Sequence, residues 1–92
     1  MLNKNLLISI KKNIYTTEGD DKTIILNLKT GHYFGINNVG SFFWKQFKKR
    51  KTVEEIISKT KKEYEIDDEN LIMEDLERFL NDMLLKGLVK LK

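Results

Sequence analysis

The side chains that most often carry catalysis are scarce in this sequence of 92 residues. It has no Cys and one His, His32, so thiol chemistry is excluded and a metal site would have only carboxylates beside that imidazole. Neither GxxxxGK nor GxGxxG occurs, which excludes the usual phosphate-binding glycine loops. The run Asp67-Asp68-Glu69 precedes an apolar periodic segment, where acids are typical of a helix N-terminus rather than a metal site. These features predict a protein that is not an enzyme and binds no cofactor or metal.

The composition is that of an ordinary globular domain, with 40% apolar and 34% charged residues. A chain of this length predicts one domain over residues 1–92. No apolar run is long enough to span a membrane, and the N-terminus MLNKNLLISI is a poor signal peptide. We therefore expect a cytoplasmic protein without a membrane partner.

Charge is distributed unevenly along the chain. Residues 1–62 hold 13 Lys or Arg and 5 Asp or Glu, whereas residues 63–92 hold 4 and 9. Such asymmetry indicates either two faces with different partners or a solvated surface. The basic run Lys48–Lys51 is typical of a turn between helices, and its functional alternative is contact with nucleic-acid phosphates.

The first third of the chain predicts an antiparallel sheet. A strand is expected near Asn13–Glu18, with residues 1–11 as a strand extension or a loose arm, followed by a turn at residues 18–21. Thr23–Leu28 is rich in β-branched residues and places Ile24, Leu26 and Leu28 on one face. Lys29-Thr30-Gly31 closes a hairpin into the strand His32–Ile36, which places Phe34 and Ile36 on one face.

Three helices are predicted to follow this sheet. Asn37 or Asn38 begins the first, Thr52 and Glu55 form a capping box for the second, and Asp67 or Asp68 caps the third. The third helix extends to about Lys86, and Gly87 suits its left-handed C-terminal cap. The segment HYFGINNVGSFFWKQF concentrates aromatic residues at helical spacing, and we interpret them as core rather than as a recognition pocket. Strands followed by helices predict the α+β class.

The segments ILNLKTGHYFGINNVGSFFWKQF, TVEEI, YEID and MEDLERFLNDMLLKGLV resemble, in their order and spacing, the family of the pyrroloquinoline quinone biosynthesis protein D. These PqqD-like proteins are the prototype of RiPP recognition elements, which bind precursor peptides of ribosomally made, modified natural products. The resemblance covers residues 13–91. It implies a winged helix-turn-helix with a three-stranded antiparallel sheet and three α-helices, and a function of binding without catalysis.

The resemblance also implies a site for the leader segment of a precursor peptide. The leader would add as a strand to the third predicted strand, with its side chains in a groove against the third helix. Gly35 would allow close approach of the leader backbone. The candidate peptide-binding residues are His32, Tyr33, Phe34, Gly35, Ile36, Ile72, Asp75, Leu76, Phe79, Asp82 and Met83. Some of those on the third helix must be core, and the sequence does not divide them. The acidic charge of residues 63–92 suggests a leader that brings Lys or Arg to this face.

The implied protein partners are a leader peptidase, a cyclase or a radical-SAM maturase. The generic character of the resemblance favours a lasso-peptide or general PqqD-like protein over quinone biosynthesis itself. A winged helix also allows DNA binding, and the basic run keeps that alternative open. However, a third helix used for DNA recognition would bring its many acids toward phosphates, so we expect no nucleic-acid partner. A third possibility is an adaptor whose basic residues 45–62 contact a modifying enzyme.

Overall fold

The computed structural model describes residues 2–19 and 22–91. Its elements in chain order are β1 (Ile8–Ile10), β2 (Ile14–Glu18), β3 (Thr23–Asn27), β4 (Tyr33–Ile36), α1 (Asn38–Lys48), α2 (Val53–Tyr64), α3 (Glu69–Leu85) and β5 (Val89–Leu91). Strands β2, β3 and β4 form an antiparallel sheet in that order, and the three helices follow it. This confirms the predicted α+β class, and the layout fits a winged helix-turn-helix. No helix in the described ranges has the length and apolar character needed to cross a membrane.

The β3–β4 hairpin is closed by a loop that satisfies its own polar groups. Asn27 donates its backbone N–H to the His32 carbonyl at 2.9 Å, and the Gly31 N–H donates to the Asn27 carbonyl at 2.8 Å. Gly31 has a φ of 80°, the left-handed conformation expected for this position. The predicted turn at residues 18–21 includes Asp20 and Asp21, which lie outside the described residues.

One face of the three-stranded sheet packs on the helices. Ile25 and Thr23 are buried on β3, and their register partners on β4 are Phe34 and Ile36. The residues Ile24, Leu26 and Leu28 do share a face, as predicted, but this is the outer face. The strand pairing explains which face of β3 points inward. Thr23 and Ile25 are opposite Ile36 and Phe34, so they lie with them on the side of the sheet that faces the helices.

A second sheet, which the sequence did not predict, joins the two ends of the described chain. β1 pairs with β5 in antiparallel register, Ile8 opposite Leu91. The segment before β1 is also bonded, since the Val53 N–H donates to the Leu6 carbonyl at 3.0 Å. Ile8 is buried in the same core as the helices. Residues 2–11 are therefore attached to the domain by backbone hydrogen bonds and by packing.

The aromatic residues of α1 form the centre of the core, as the sequence predicted. Phe43, Trp44 and Phe47 are all buried, and the Trp44 and Phe47 rings meet edge to face with centroids 6.2 Å apart. The indole N–H of Trp44 donates to the Thr16 hydroxyl at 3.0 Å. A buried indole needs such a partner, and here the partner comes from β2.

Local capping signals place the helix ends. At α2, the Glu55 N–H donates to the Thr52 hydroxyl at 3.2 Å and the Thr52 N–H donates to the Glu55 carboxylate at 2.8 Å, which confirms the capping box. At the end of α3, Gly87 has a φ of 71° and the Leu88 N–H donates to the Met83 carbonyl at 3.0 Å. This is the predicted glycine cap. Asn37 occupies the cap position of α1, but its side chain makes no capping hydrogen bond.

Candidate functional site

Strand β4 is an edge of the three-stranded sheet. Within the described residues it pairs with β3 on one side, and no strand pairs with its other side. An unpaired edge offers a row of backbone donors and acceptors to an incoming strand. The exposed edge lies beside α3, so the site has one wall of backbone and one wall of helix.

The register identifies which backbone groups face the open edge. In an antiparallel pair, successive residues direct their N–H and C=O groups alternately toward and away from the partner strand. Because His32 accepts a bond from β3, Phe34 and Ile36 also bond toward β3. Tyr33 and Gly35 therefore present their N–H and C=O groups to the open edge. The Tyr33 side chain is 73% exposed.

A groove of about 680 Å³ runs between this edge and α3. Residues from three parts of the chain contribute to it: the end of β4, the first turns of α1, and one side of α3. Its lining consists of Gly35, Ile36, Asn37, Val39, Gly40, Phe43, Asp75, Arg78, Phe79 and Asp82. Such a groove, with backbone on one side and mixed apolar and charged side chains on the other, suits an extended peptide.

Phe79 forms the apolar floor of the groove, and the helix contact beneath it depends on Gly40. The Phe79 ring is half-buried, with its centroid 5.8 Å from that of Phe43 and 5.8 Å from that of Phe47. A Cβ atom at Gly40 would lie 3.0 Å from Phe79 Cε1, closer than ordinary contacts. Glycine at this position thus lets α1 approach α3 without displacing the ring.

Gly35 differs from Gly40, because the fold itself does not require it. A Cβ atom there would lie 3.6 Å from Ile24 Cδ1, an ordinary contact. Its φ is also outside the left-handed range in which glycine is favoured. The absence of a side chain therefore leaves space on the outer face beside the open edge.

The helix wall of the groove carries alternating charges. Asp75 pairs with Arg78 at 3.4 Å and Asp82 pairs with Lys86 at 2.7 Å, both pairs being exposed. The Lys86 ammonium also lies 5.4 Å from the centroid of the Phe34 ring. Exposed pairs of this kind contribute only about 0.3–0.5 kcal/mol, so an incoming cation can compete for either carboxylate.

The structure divides the predicted site residues into three groups. Gly35, Ile36, Asp75, Phe79 and Asp82 line the groove. His32 and Tyr33 are exposed along the strand at the start of the edge, whereas Phe34 is half-buried on the inner face. The remaining three, Ile72, Leu76 and Met83, are buried in the core and do not line the groove.

Several lining residues were not predicted from the sequence. Asn37, Val39 and Gly40 come from the start of α1, and Arg78 comes from α3 between the two predicted aspartates. The spacing Asp75, Arg78, Asp82 of three and four residues is a signal that places all three on one helix face. Asn37, Val39 and Gly40 follow β4 directly in the chain, so their place beside its end is a matter of chain adjacency, whereas no local signal indicates that they would meet α3.

The described residues contain no group of three or more His, Asp or Glu side chains arranged to hold a metal ion. His32 is exposed, and its backbone N–H donates to the Thr30 hydroxyl at 3.2 Å. The lining of the groove offers backbone hydrogen bonds, apolar contact at Phe79 and charge at Asp75, Arg78 and Asp82 to a ligand.

Comparison with known proteins agrees with this geometry. The family described as "Coenzyme PQQ synthesis protein D (PqqD)" matches residues 22–89. A solved structure described as "TbiB1 in Complex with the TbiA(beta) Leader Peptide" is 33% identical in sequence, with a TM-score of 0.84. That similarity covers 89% of this chain and 94% of the other. A search of curated proteins gave no match.

The fold and these matches define the class of PqqD-like RiPP recognition elements. Within that class, the chain belongs to the PqqD family.

Proposed function

We propose that this protein binds the leader segment of a ribosomally made precursor peptide by strand addition to β4, without catalysing a reaction on it. The main support for this proposal is the geometry of the β4 edge. The backbone groups of Tyr33 and Gly35 face an open edge that borders a peptide-sized groove. The leader backbone bonds to that edge, and alternate leader side chains enter the groove over Phe79.

The free energies of the expected contacts indicate how much of the leader affinity comes from the β4 edge and how much from the groove. Tyr33 and Gly35 together offer four backbone groups, and each hydrogen bond contributes about 1 kcal/mol net. Their sum of about 4 kcal/mol is roughly half of what a micromolar complex requires. Leader side chains must supply the rest, through apolar contact with Phe79 and Ile36 and through charge at Asp75 and Asp82.

Similarity to TbiB1 supports the same assignment. That protein is described in complex with a leader peptide, and it is similar to this chain along nearly the whole of both. We accordingly assign leader binding to this chain as well.

In this function the protein delivers a bound precursor to a separate enzyme. The groove brings together no nucleophile with a base, so the reaction belongs to the partner. Leader peptidase, cyclase and radical-SAM maturase remain the candidate partners, as inferred from the family resemblance.

The DNA-binding alternative is disfavoured by the exposed side chains of α3. Glu69, Glu74, Asp75 and Asp82 are exposed on this helix, and the basic Arg78 is already paired with one of them. Bringing this helix to a phosphate backbone would set like charges against each other. A helix that is used for recognition in the major groove normally carries basic residues, which attract the negatively charged phosphates.

A titration of labelled leader peptides tests the proposal. The probe is the TbiA(beta) leader peptide, with single proline substitutions placed along it. Proline removes one backbone donor, so substitutions in the segment that pairs with β4 should weaken binding about tenfold, and substitutions outside it should not. Binding that is insensitive to proline along the entire leader would rule out strand addition.

A further inference from the structure

A second hollow, of about 330 Å³, lies along the seam between α1 and α2. Three lysines surround it, Lys49 from α1 and Lys59 and Lys62 from α2. Phe42, Gln46 and Glu63 complete its lining. We call this hollow the lysine seam. It shares no residue with the groove beside β4.

None of the three seam lysines forms an ion pair within 4 Å among the described residues, although Lys59 is close enough to Glu55 to help lower the pKa of that carboxyl group. Other lysines nearby are neutralised, since Lys48 pairs with Glu18 at 3.5 Å and Lys61 pairs with Glu69 at 3.3 Å. Glu63 is the acid that lines the seam, and it forms no ion pair with a described lysine. The seam thus keeps an excess of positive charge in a small concave space.

A buried polar atom in the same lining points to a missing partner. Gln46 is only 3% exposed, and its Oε1 atom accepts no hydrogen bond from the described residues. Buried amide oxygens are normally satisfied by a donor. Because this oxygen is itself enclosed, an N–H group of a ligand reaches it only if the Gln46 side chain turns toward the seam.

We propose that the lysine seam binds an acidic segment of a partner protein. Its carboxylates lie against Lys49, Lys59 and Lys62, and a backbone N–H of the segment approaches Gln46. An apolar side chain of the segment contacts Phe42, which is half-buried and meets the Tyr64 ring edge to face at 5.6 Å. Charge complementarity therefore selects the segment, and the apolar contact positions it.

A polypeptide fits this seam better than a nucleic acid does. Phosphate backbones bind along extended basic stripes, in which each contact neutralises one phosphate. Here the lysines are gathered around one hollow, with Glu63 within the lining. Only a polypeptide supplies carboxylates, an apolar side chain and backbone N–H groups together.

The position of the seam allows the partner and the leader to bind at the same time. The two sites use different residues of α1, with Val39 and Gly40 at the groove and Phe42 and Gln46 at the seam. If the proposed function holds, the partner is the enzyme that receives the peptide. The seam itself is inferred from its own residues and not from leader binding.

The test uses the full chain and a short fluorescein-labelled peptide of Glu and Asp residues with one central Phe. Its affinity is measured by anisotropy at low salt. Lys59→Glu combined with Lys62→Glu should weaken binding at least tenfold. Lys11→Glu combined with Lys12→Glu makes the same change in net charge on exposed residues outside the seam, and it should change affinity less than twofold.

Two further measurements locate the contact. On adding the acidic peptide, the side-chain amide resonances of Gln46 should shift in an NMR spectrum, whereas the amide of Gly35 should not. Leader affinity should be equal in both charge-reversed variants, provided that their thermal unfolding remains cooperative. A leader that fails to bind the unmodified chain would overturn the proposed function but not the seam.

Three results would overturn the seam proposal. The first is an absence of peptide binding. The second is an equal loss of affinity in the two charge-reversed variants, which indicates only a general effect of charge. The third is preferential binding of a labelled DNA duplex that is lost in the seam variant alone.

Discussion

At the scale of single residues, Trp44 connects the sheet to the helical core through one hydrogen bond. Its indole is fully buried and its N–H has the Thr16 hydroxyl as partner at 3.0 Å. Removing that hydroxyl would leave a buried donor unsatisfied, which costs about 1–3 kcal/mol. The bond also fixes the position of β2 relative to α1.

Thr16→Val should therefore lower the free energy of unfolding by about 1–3 kcal/mol, as measured by urea denaturation. Thr17→Val makes the same chemical change on the neighbouring residue, which is exposed. It should alter stability by less than about 0.5 kcal/mol. Equal effects of the two substitutions would show that the Trp44 bond contributes nothing specific.

The aspartates of the groove make a second prediction at this scale. Asp75→Asn combined with Asp82→Asn should weaken binding of a leader that carries Lys or Arg, by about threefold to tenfold, and should reduce the salt dependence of binding. Glu74→Gln is the control, since Glu74 is exposed on α3 but does not line the groove. Unchanged affinity and salt dependence in the double variant would refute a role for acidic charge in leader recognition.

The sequence predicts which residues of α3 are apolar and share a face, but it does not predict which of them are buried and which line the groove. Ile72, Leu76, Phe79 and Met83 recur at helical spacing and all belong to one stripe. Only Phe79 lines the groove, because Gly40 brings α1 against it and leaves part of the ring uncovered. That contact joins residues far apart in the sequence, so periodicity alone does not reveal it.

At the scale of elements, the capping box of α2 illustrates a purely local signal. Thr52 and Glu55 bond to each other's backbone N–H groups, and the helix begins where the sequence predicted. Thr52→Ala should destabilise the protein by about 1 kcal/mol in urea denaturation. Ser58→Ala, at an exposed position within the same helix, should change stability by less than half as much. A full-sized effect at Ser58 would contradict the capping explanation.

The same cap introduces a pH dependence. The hydrogen bond from the Thr52 backbone holds the pKa of Glu55 below its ordinary value of 4.5, against a smaller opposing effect of burial. A pKa lowered on folding contributes stability that is present above the ordinary value and is lost as the pH falls through the folded value. The stability difference between the unmodified protein and Glu55→Ala should therefore shrink as the pH falls below about 4.5. A difference that grows on acidification would contradict this assignment.

The sheets show what local signals leave undetermined. The alternation along β3 correctly predicts a strand, but Ile24, Leu26 and Leu28 form its outer face. The register with β4 sets which face of β3 points to the helices, because residues opposite Phe34 and Ile36 lie on the same side of the sheet as those two. The β1–β5 pair joins residues from opposite ends of the chain, and no local pattern indicates that they meet.

At the scale of the whole molecule, the uneven charge along the sequence corresponds to different surfaces. The acids of the C-terminal third include Asp75 and Asp82 at the groove, whereas lysines from α1 and α2 surround the seam. The sequence identified this asymmetry and left open whether it meant two partners. In the structure, Asp75 and Asp82 line one hollow and three lysines line another, which is the basis for proposing two binding surfaces.

In the proposed function, a leader peptide adds to the open edge of β4. Its most direct test is Gly35→Pro, because the Gly35 N–H faces that edge and a proline there leaves the β3–β4 bonds in place. Glu18→Pro is the matched control, since the register directs its N–H to the open edge of β2, on the opposite side of the sheet.

The measurement is the dissociation constant of a labelled leader for each variant, made after thermal unfolding has verified that both fold. Gly35→Pro should weaken leader binding about tenfold or more, while Glu18→Pro should change it less than twofold. Equal affinity of a folded Gly35→Pro variant and the unmodified protein would contradict strand addition to β4.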